Sequence, residues 1–255
     1  MSKLVYVESI REGLVGLVLN RPEKRNALSV ELMRQFCGEL DHLKARRDVR
    51  VVILRGEGPV FCAGLDLREA TDAGLADHAA RWMHRMLQRL RATSIVTICQ
   101  MHGGAWAGGV GLLAACDIVV AADDAQLAFP EARRGLIPAL ISDVMRPRVL
   151  DGNLRELFLV GEPIDMIRAQ QIGLVQRIVP QEKLSSAVLS IADAVLRGAP
   201  NTIRLTKTML NDLEEVLVAP ATERLIEAHL GSRESHEAKE GLAAFLQKRT
   251  PNWPK

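Results

Sequence analysis

Two stretches decide the reading of this chain: Phe61-Cys62-Ala63-Gly64-Leu65-Asp66-Leu67 and His102-Gly103-Gly104-Ala105-Trp106-Ala107-Gly108-Gly109-Val110-Gly111. Each sets a glycine-rich turn against a hydrophobic strand. Side chains at such turns would hold a ligand carbonyl away from the main chain, whereas glycine lets two backbone N–H groups close on it. The pair therefore predicts an oxyanion hole and, with it, stabilisation of an enolate. Either turn alone would be unremarkable, because glycine-rich turns are common. Their joint spacing carries the reading.

Outward from these turns, short apolar runs alternate with longer helical patterns. Leu14 to Leu19, Val51 to Leu54, Ile95 to Cys99 and Ile118 to Ala121 are apolar on both faces, as buried parallel strands are. Ser29 can cap a helix with Leu32, Phe36, Leu40 and Leu43 on one side, and Trp82, Met83, Met86, Leu87 and Leu90 mark another. The alternation predicts an α/β fold, and periodicity alone allows a doubly wound sheet. Near Gly198-Ala199-Pro200 the pattern changes, and Ile203 to Leu217, Thr222 to Leu230 and Glu234 to Lys248 read as helices. The expected division is a core over 1–198 and a helical region over 199–255.

The chain has 255 residues, 48% hydrophobic and 25% charged, which is ample material for a large core. With 33 Lys and Arg against 31 Asp and Glu, its formal charge of +2 supplies no general field for nucleic acid, so any basic site must be local. The run from Met1 to Val7 passes straight into a strand-like pattern, and no apolar stretch approaches the roughly 20 residues of a membrane span. The expectation is a cytoplasmic chain that does not insert in a membrane. Cys37, Cys62, Cys99 and Cys116 are dispersed, with no Cys-x-x-Cys pair or histidine cluster, so neither a metal site nor a disulfide framework is expected.

The two turns, with Asn20-Arg21-Pro22-Glu23-Lys24-Arg25-Asn26-Ala27-Leu28 before them and Ala114-Ala115-Cys116-Asp117-Ile118 after, are similar to the crotonase (enoyl-CoA hydratase/isomerase) superfamily. The resemblance continues through Phe129-Pro130-Glu131, Gly135-Leu136-Ile137-Pro138, Ala169 to Val175 and Glu240 to Arg249, nearly end to end. It implies a spiral of ββα repeats with a C-terminal helical region that assembles homotrimers or dimers of trimers. It also implies a coenzyme A thioester as substrate, with no permanently bound cofactor. In this resemblance the backbone amides of Leu65 and Gly108 are the oxyanion donors.

Glu131 is the catalytic candidate. Pro130 fixes its own φ and keeps Phe129 extended, so the carboxylate is presented at a defined place on a loop. A carboxylate suits proton transfer at the carbon beside a thioester. The resemblance matches Glu131 to one of the two glutamates of family hydratases. Gly111 stands where the second is expected, one residue before Leu112, which is the main departure. Glu131 then either works alone on water, shuttles a proton between two carbons as Δ3,Δ2-enoyl-CoA isomerases do, or serves another branch of the superfamily. A homologue that binds acyl-CoA without turnover is the competing class. Asp143 is a candidate replacement carboxylate, whereas Asp117 and Asp66 are read as structural, and His78, His84 and His102 lack a supporting context.

For coenzyme A, the local cations are Lys24, Arg25 and Arg68, with Ala63 in the first turn. The resemblance adds Phe245 and Lys248, which in family trimers reach toward the adenine of a neighbouring subunit. Trp82, Met83, Met86 and Trp106, with Gly111, are candidates for the acyl pocket. Arg133 and Arg134, directly after Glu131, raise a narrower idea, that the acyl chain carries its own carboxylate. Two adjacent arginines on a loop ordinarily face water.

Overall fold

The computed structural model describes residues 3–72, 74–218 and 222–252, so Met1 and Ser2 lie outside the described residues. The chain opens with strands β1 (Val5–Arg11) and β2 (Leu14–Leu19), then helix α1 (Val30–Ala45), β3 (Val51–Gly56), and helices α2 (Leu67–Thr71) and α3 (Ala76–Ala92). Next come β4 (Val96–Met101), β5 (Gly104–Trp106), α4 (Gly108–Ala114), β6 (Ile118–Ala122), β7 (Gln126–Ala128) and α5 (Ala139–Met145). The remainder comprises α6 (Asp151–Val160), β8 (Ile164–Asp165), α7 (Met166–Gln171), β9 (Arg177–Val179), α8 (Leu184–Leu196), α9 (Pro200–Val218), α10 (Thr222–Glu234) and α11 (His236–Leu246).

A six-stranded sheet runs β1-β2-β3-β4-β6-β9, and a smaller one runs β5-β7-β8. β1 and β2 form an antiparallel hairpin, and the rest of the large sheet is parallel. Its central strands are buried on both faces, which is why they appear as unbroken apolar runs. Successive chain segments give one strand to each sheet and then a helix: β4, β5, α4, then β6, β7, α5. That is the ββα spiral rather than a doubly wound sheet. α1 begins as its sequence predicts, with Ser29 Oγ accepting from Leu32 N at 3.2 Å and with Leu32, Phe36, Leu40 and Leu43 buried. All four cysteines are buried and unpaired.

One buried side chain shapes the first glycine turn. Asn26 is fully buried, and its Nδ2 donates to the carbonyls of Glu57 (2.8 Å), Val60 (3.0 Å) and Phe61 (3.1 Å), while its Oδ1 accepts from Arg21 N at 2.9 Å. The loop after β3 is thereby tied to the segment before α1. The C-terminal helices are anchored too: Lys207 Nζ, on α9, donates to Ile95 O (2.7 Å) and Asp117 Oδ2 (2.6 Å), and the same Oδ2 accepts from Thr97 N and Oγ1. Asp117 is structural, as its sequence context suggests.

Candidate active site

The two glycine turns face each other. Gly64 has φ +86°, and a Cβ built there would lie 2.7 Å from Trp106 O and 3.3 Å from Gly108 N. Glycine at 64 is thus required twice, by its backbone conformation and by the close approach of the second turn. Opposite it, Ala107 adopts φ 49° and ψ −118°, which a non-glycine residue occupies only under strain. Ala107 N donates to Ala128 O at 2.9 Å, which ties this turn to β7 and so to the Phe129-Pro130-Glu131 segment that follows. Gly108 is the first residue of α4, where a helix leaves its amides unpaired. Among the described residues neither the Leu65 nor the Gly108 amide donates to a protein acceptor.

Glu131 caps a 3₁₀ turn, its carbonyl accepting from Arg134 N (2.8 Å) and Leu136 N (3.0 Å). Its side chain lines a small cavity of ≈ 50 Å³ together with Ala63, Leu65, Gly108 and Ile141. Oε2 is buried without a hydrogen-bond partner. Loss of water pushes the Glu131 carboxyl up to about 7, a rise only partly opposed by its own backbone and by Arg134. A carboxyl poised near neutrality can both accept and return a proton, as a group serving as base and then acid must.

The sequence-derived candidates divide cleanly. Ala63, Leu65, Gly108 and Glu131 line this cavity, as does Met83. Trp82 and Met86 do not: Met86 is fully buried in the core, and the Trp82 ring lies 4.9 Å from the Arg85 guanidinium. Trp106 is also absent from the lining, because its ring folds back over Gly104.

Asp143 is not the missing carboxylate. It is 3% exposed, accepts from Gln88 Nε2, and lies 3.7 Å from His84 Nδ1, between α5 and α3 rather than in the cavity. Burial pushes its carboxyl up. Nor is Gly111 an open position, because a Cβ there would meet Ile141 Cγ2 at 2.5 Å and Leu87 Cδ1 at 3.3 Å. The place of a second glutamate is filled by hydrocarbon.

At the outer face, Lys24, Arg25 and Arg68 are exposed, while burial, with a smaller contribution from Arg25, depresses the Arg134 guanidinium. Arg133 turns away and pairs with Glu162, while Arg134 turns inward, its guanidinium 4.1 Å from the Phe245 ring. Phe245 is 44% exposed, and Lys248 is exposed just beyond α11. Residues that composition did not single out complete the cavity: Ile141 from α5, and His229 and Arg233 from α10. A much larger cavity of ≈ 620 Å³ lies beside α9, lined by Asp117 and Lys207, whose charges already satisfy each other.

Residues 9–255 match the family model for enoyl-CoA hydratase/isomerase. The chain is 32% identical to a 2,3-dehydroadipyl-CoA hydratase of Escherichia coli K12, covering 99% of both proteins, and 31% identical to an enoyl-CoA isomerase/hydratase of Mycosarcoma maydis, covering 98% of this chain and 97% of that protein. The crystal structure of an enoyl-CoA hydratase from Mycobacterium avium superposes with a TM-score of 0.91 at 33% identity, over 100% of both chains. Two facing glycine turns and a buried carboxyl that line one cavity, in a spiral of ββα repeats, thus belong to a crotonase-fold enzyme that processes acyl-CoA thioesters. The chain is a member of the enoyl-CoA hydratase/isomerase family.

Proposed function

We propose that this enzyme hydrates a 2-enoyl-CoA with Glu131 as its single proton-transferring group. The observation that carries the reading is the buried, unpartnered Glu131 Oε2 in one cavity with the oxyanion turns. The thioester oxygen sits on the Leu65 and Gly108 amides. Glu131, as carboxylate, takes a proton from water while the water oxygen bonds to C3; electron density moves through C2 onto the thioester oxygen, and the amides hold that enolate. The protonated Glu131 then delivers its proton to C2. Water is added across one face, and the carboxylate is regenerated.

A second reading has its own observation. With Ile141 filling the space at Gly111, no second carboxylate fixes the water, which suits a Δ3,Δ2-enoyl-CoA isomerase that moves one proton from C2 to C4 through Glu131. Loss of conjugated thioester absorbance on crotonyl-CoA, against its gain on a 3-enoyl-CoA, separates the two. Hydration is expected, with kcat/KM rising with pH through an ionisation near 7, since Glu131 must begin as carboxylate. Conversion of the 3-enoyl-CoA alone would replace hydration by isomerisation.

Other parts of the proposal concern setting. The exposed Lys24, Arg25 and Arg68 are assigned to the coenzyme A phosphates, a role for local cations, and Phe245 and Lys248 to the adenine region of a neighbouring subunit. A homotrimer or dimer of trimers is part of the proposal, and the exposed Leu205 and Met209, four residues apart on α9, are apolar surface it would cover. The division proposed is a core over 1–198 and a helical region over 199–255, and the Lys207 anchor is one contact that supports their packing. No described helix is long and apolar enough to cross a membrane. Four buried free thiols support a reducing, cytoplasmic setting.

A further inference from the structure

Among the described residues three buried side-chain atoms lack a hydrogen-bond partner: Glu131 Oε2, His229 Nδ1 and Arg233 Nη2. All three residues line the same cavity. Glu131 is explained by the reaction, but the pair on α10 is not. His229 and Arg233 are four residues apart, so one helix face presents both. His229 is 6% exposed, and burial with the neighbouring Arg233 pushes its ring down to about 4, so it is neutral and adds no second positive charge. Burial depresses the Arg233 guanidinium, and among the described residues no carboxylate acts on it. The other arginines near Glu131 are engaged, Arg133 with Glu162 and Arg134 with Glu131 and the Phe245 ring. The ionisable lining therefore holds two arginines against one glutamate. A guanidinium partly stripped of water, with a buried nitrogen that has no partner among the described residues, is unfavourable, and an anion arriving with the ligand relieves it.

We propose that the acyl group handled at this site carries a terminal carboxylate, which pairs with Arg233. The inference rests on the acyl-CoA reading above and names its substrate class. One cavity lining brings together the groups such a ligand needs: the amides of Leu65 and Gly108, the apolar side chains of Met83, Leu140 and Ile141, and the Arg233 guanidinium. Coenzyme A phosphates do not account for Arg233, because its Nη2 is buried with these apolar residues while the cations of the first turns lie exposed.

The test compares binding of two saturated, chain-matched thioesters, glutaryl-CoA and pentanoyl-CoA, by isothermal calorimetry. The intact enzyme is expected to bind glutaryl-CoA about 10- to 100-fold more tightly, the worth of one charge-assisted hydrogen bond to a carboxylate. Arg233→Gln should bring the ratio to within about 3-fold, and Arg233→Lys, which keeps the charge, should retain part of it. Equal binding of both thioesters by the intact enzyme would overturn the proposal, as would a preference undiminished in Arg233→Gln. Neither ligand is turned over, so failure of the hydration reading appears separately, as absent conversion of any enoyl-CoA. Binding of neither thioester would remove the acyl-CoA reading and this proposal with it.

Discussion

Glu131→Gln is expected to lower kcat on an enoyl-CoA by about 10²–10⁴-fold, with acyl-CoA affinity held within a few fold. Glutamine keeps the size of the side chain and its place in the cavity beside the two glycine turns, but cannot take and return a proton. The same variant carries a stability signature. Folding raises the Glu131 carboxyl from 4.5 to about 7, so the protonated form is the one that burial favours. Its contribution is fully present below pH 4.5 and is lost as pH rises through 7. Glutamine is neutral throughout. Chemical denaturation should therefore find Glu131→Gln more stable than the natural protein at pH 8, by at most on the order of 3 kcal/mol, with the gap closing toward pH 5. Unchanged turnover would remove Glu131 from the reaction. A gap that widened toward acid would show that its carboxyl is not held up by burial.

Gly111→Glu would restore the residue that two-glutamate hydratases carry, and from sequence alone it should increase hydration. The structure reverses that expectation. With Ile141 Cγ2 2.5 Å from the new Cβ, the side chain has no room, and its carboxylate would lie among Ile141 and Leu87. Overpacking typically costs ~1–3 kcal/mol, and burying an unpaired charge adds to it. We expect a loss of at least about 3 kcal/mol in stability and at least a tenfold fall in crotonyl-CoA turnover. Opening the space first should change the outcome: Gly111→Glu combined with Ile141→Ala should hydrate crotonyl-CoA faster than Ile141→Ala alone. A stable, more active single variant would show that Ile141 moves aside and that this packing does not define the site.

The contrast between Ile141 and Asp143 shows where sequence reading stops. Both lie on α5, two residues apart, and residues at that spacing point to nearly opposite sides of a helix. A carboxylate near the expected place drew attention to Asp143, yet rotation of the helix puts Ile141 into the cavity and Asp143 against Gln88. Nothing local sets that rotation; packing of α5 on α3 and α4 does. The large parallel strands were legible because burial on both faces leaves unbroken apolar runs such as Leu14 to Leu19. Strands of two or three residues, β5, β7 and β8, are too short for any periodicity to show. Glu131 was legible through its proline and its place in the ordered motifs, whereas His229 and Arg233 sit about one hundred residues further on, in a helix that carries no motif. Asn26 was visible only as part of a motif. Its role emerges once three carbonyls converge on its amide.

In the proposed reaction one carboxylate and two backbone amides make and unmake an enolate of an acyl-CoA. Proton NMR of butyryl-CoA incubated with the enzyme in D₂O measures this without requiring hydration or isomerisation, since each enolisation by Glu131 allows a C2 proton to be replaced by deuterium. One C2 proton signal should be lost with the natural protein and none above background with Glu131→Gln. Exchange proceeding equally in Glu131→Gln, or no exchange by a natural protein that converts an enoyl-CoA, would contradict it.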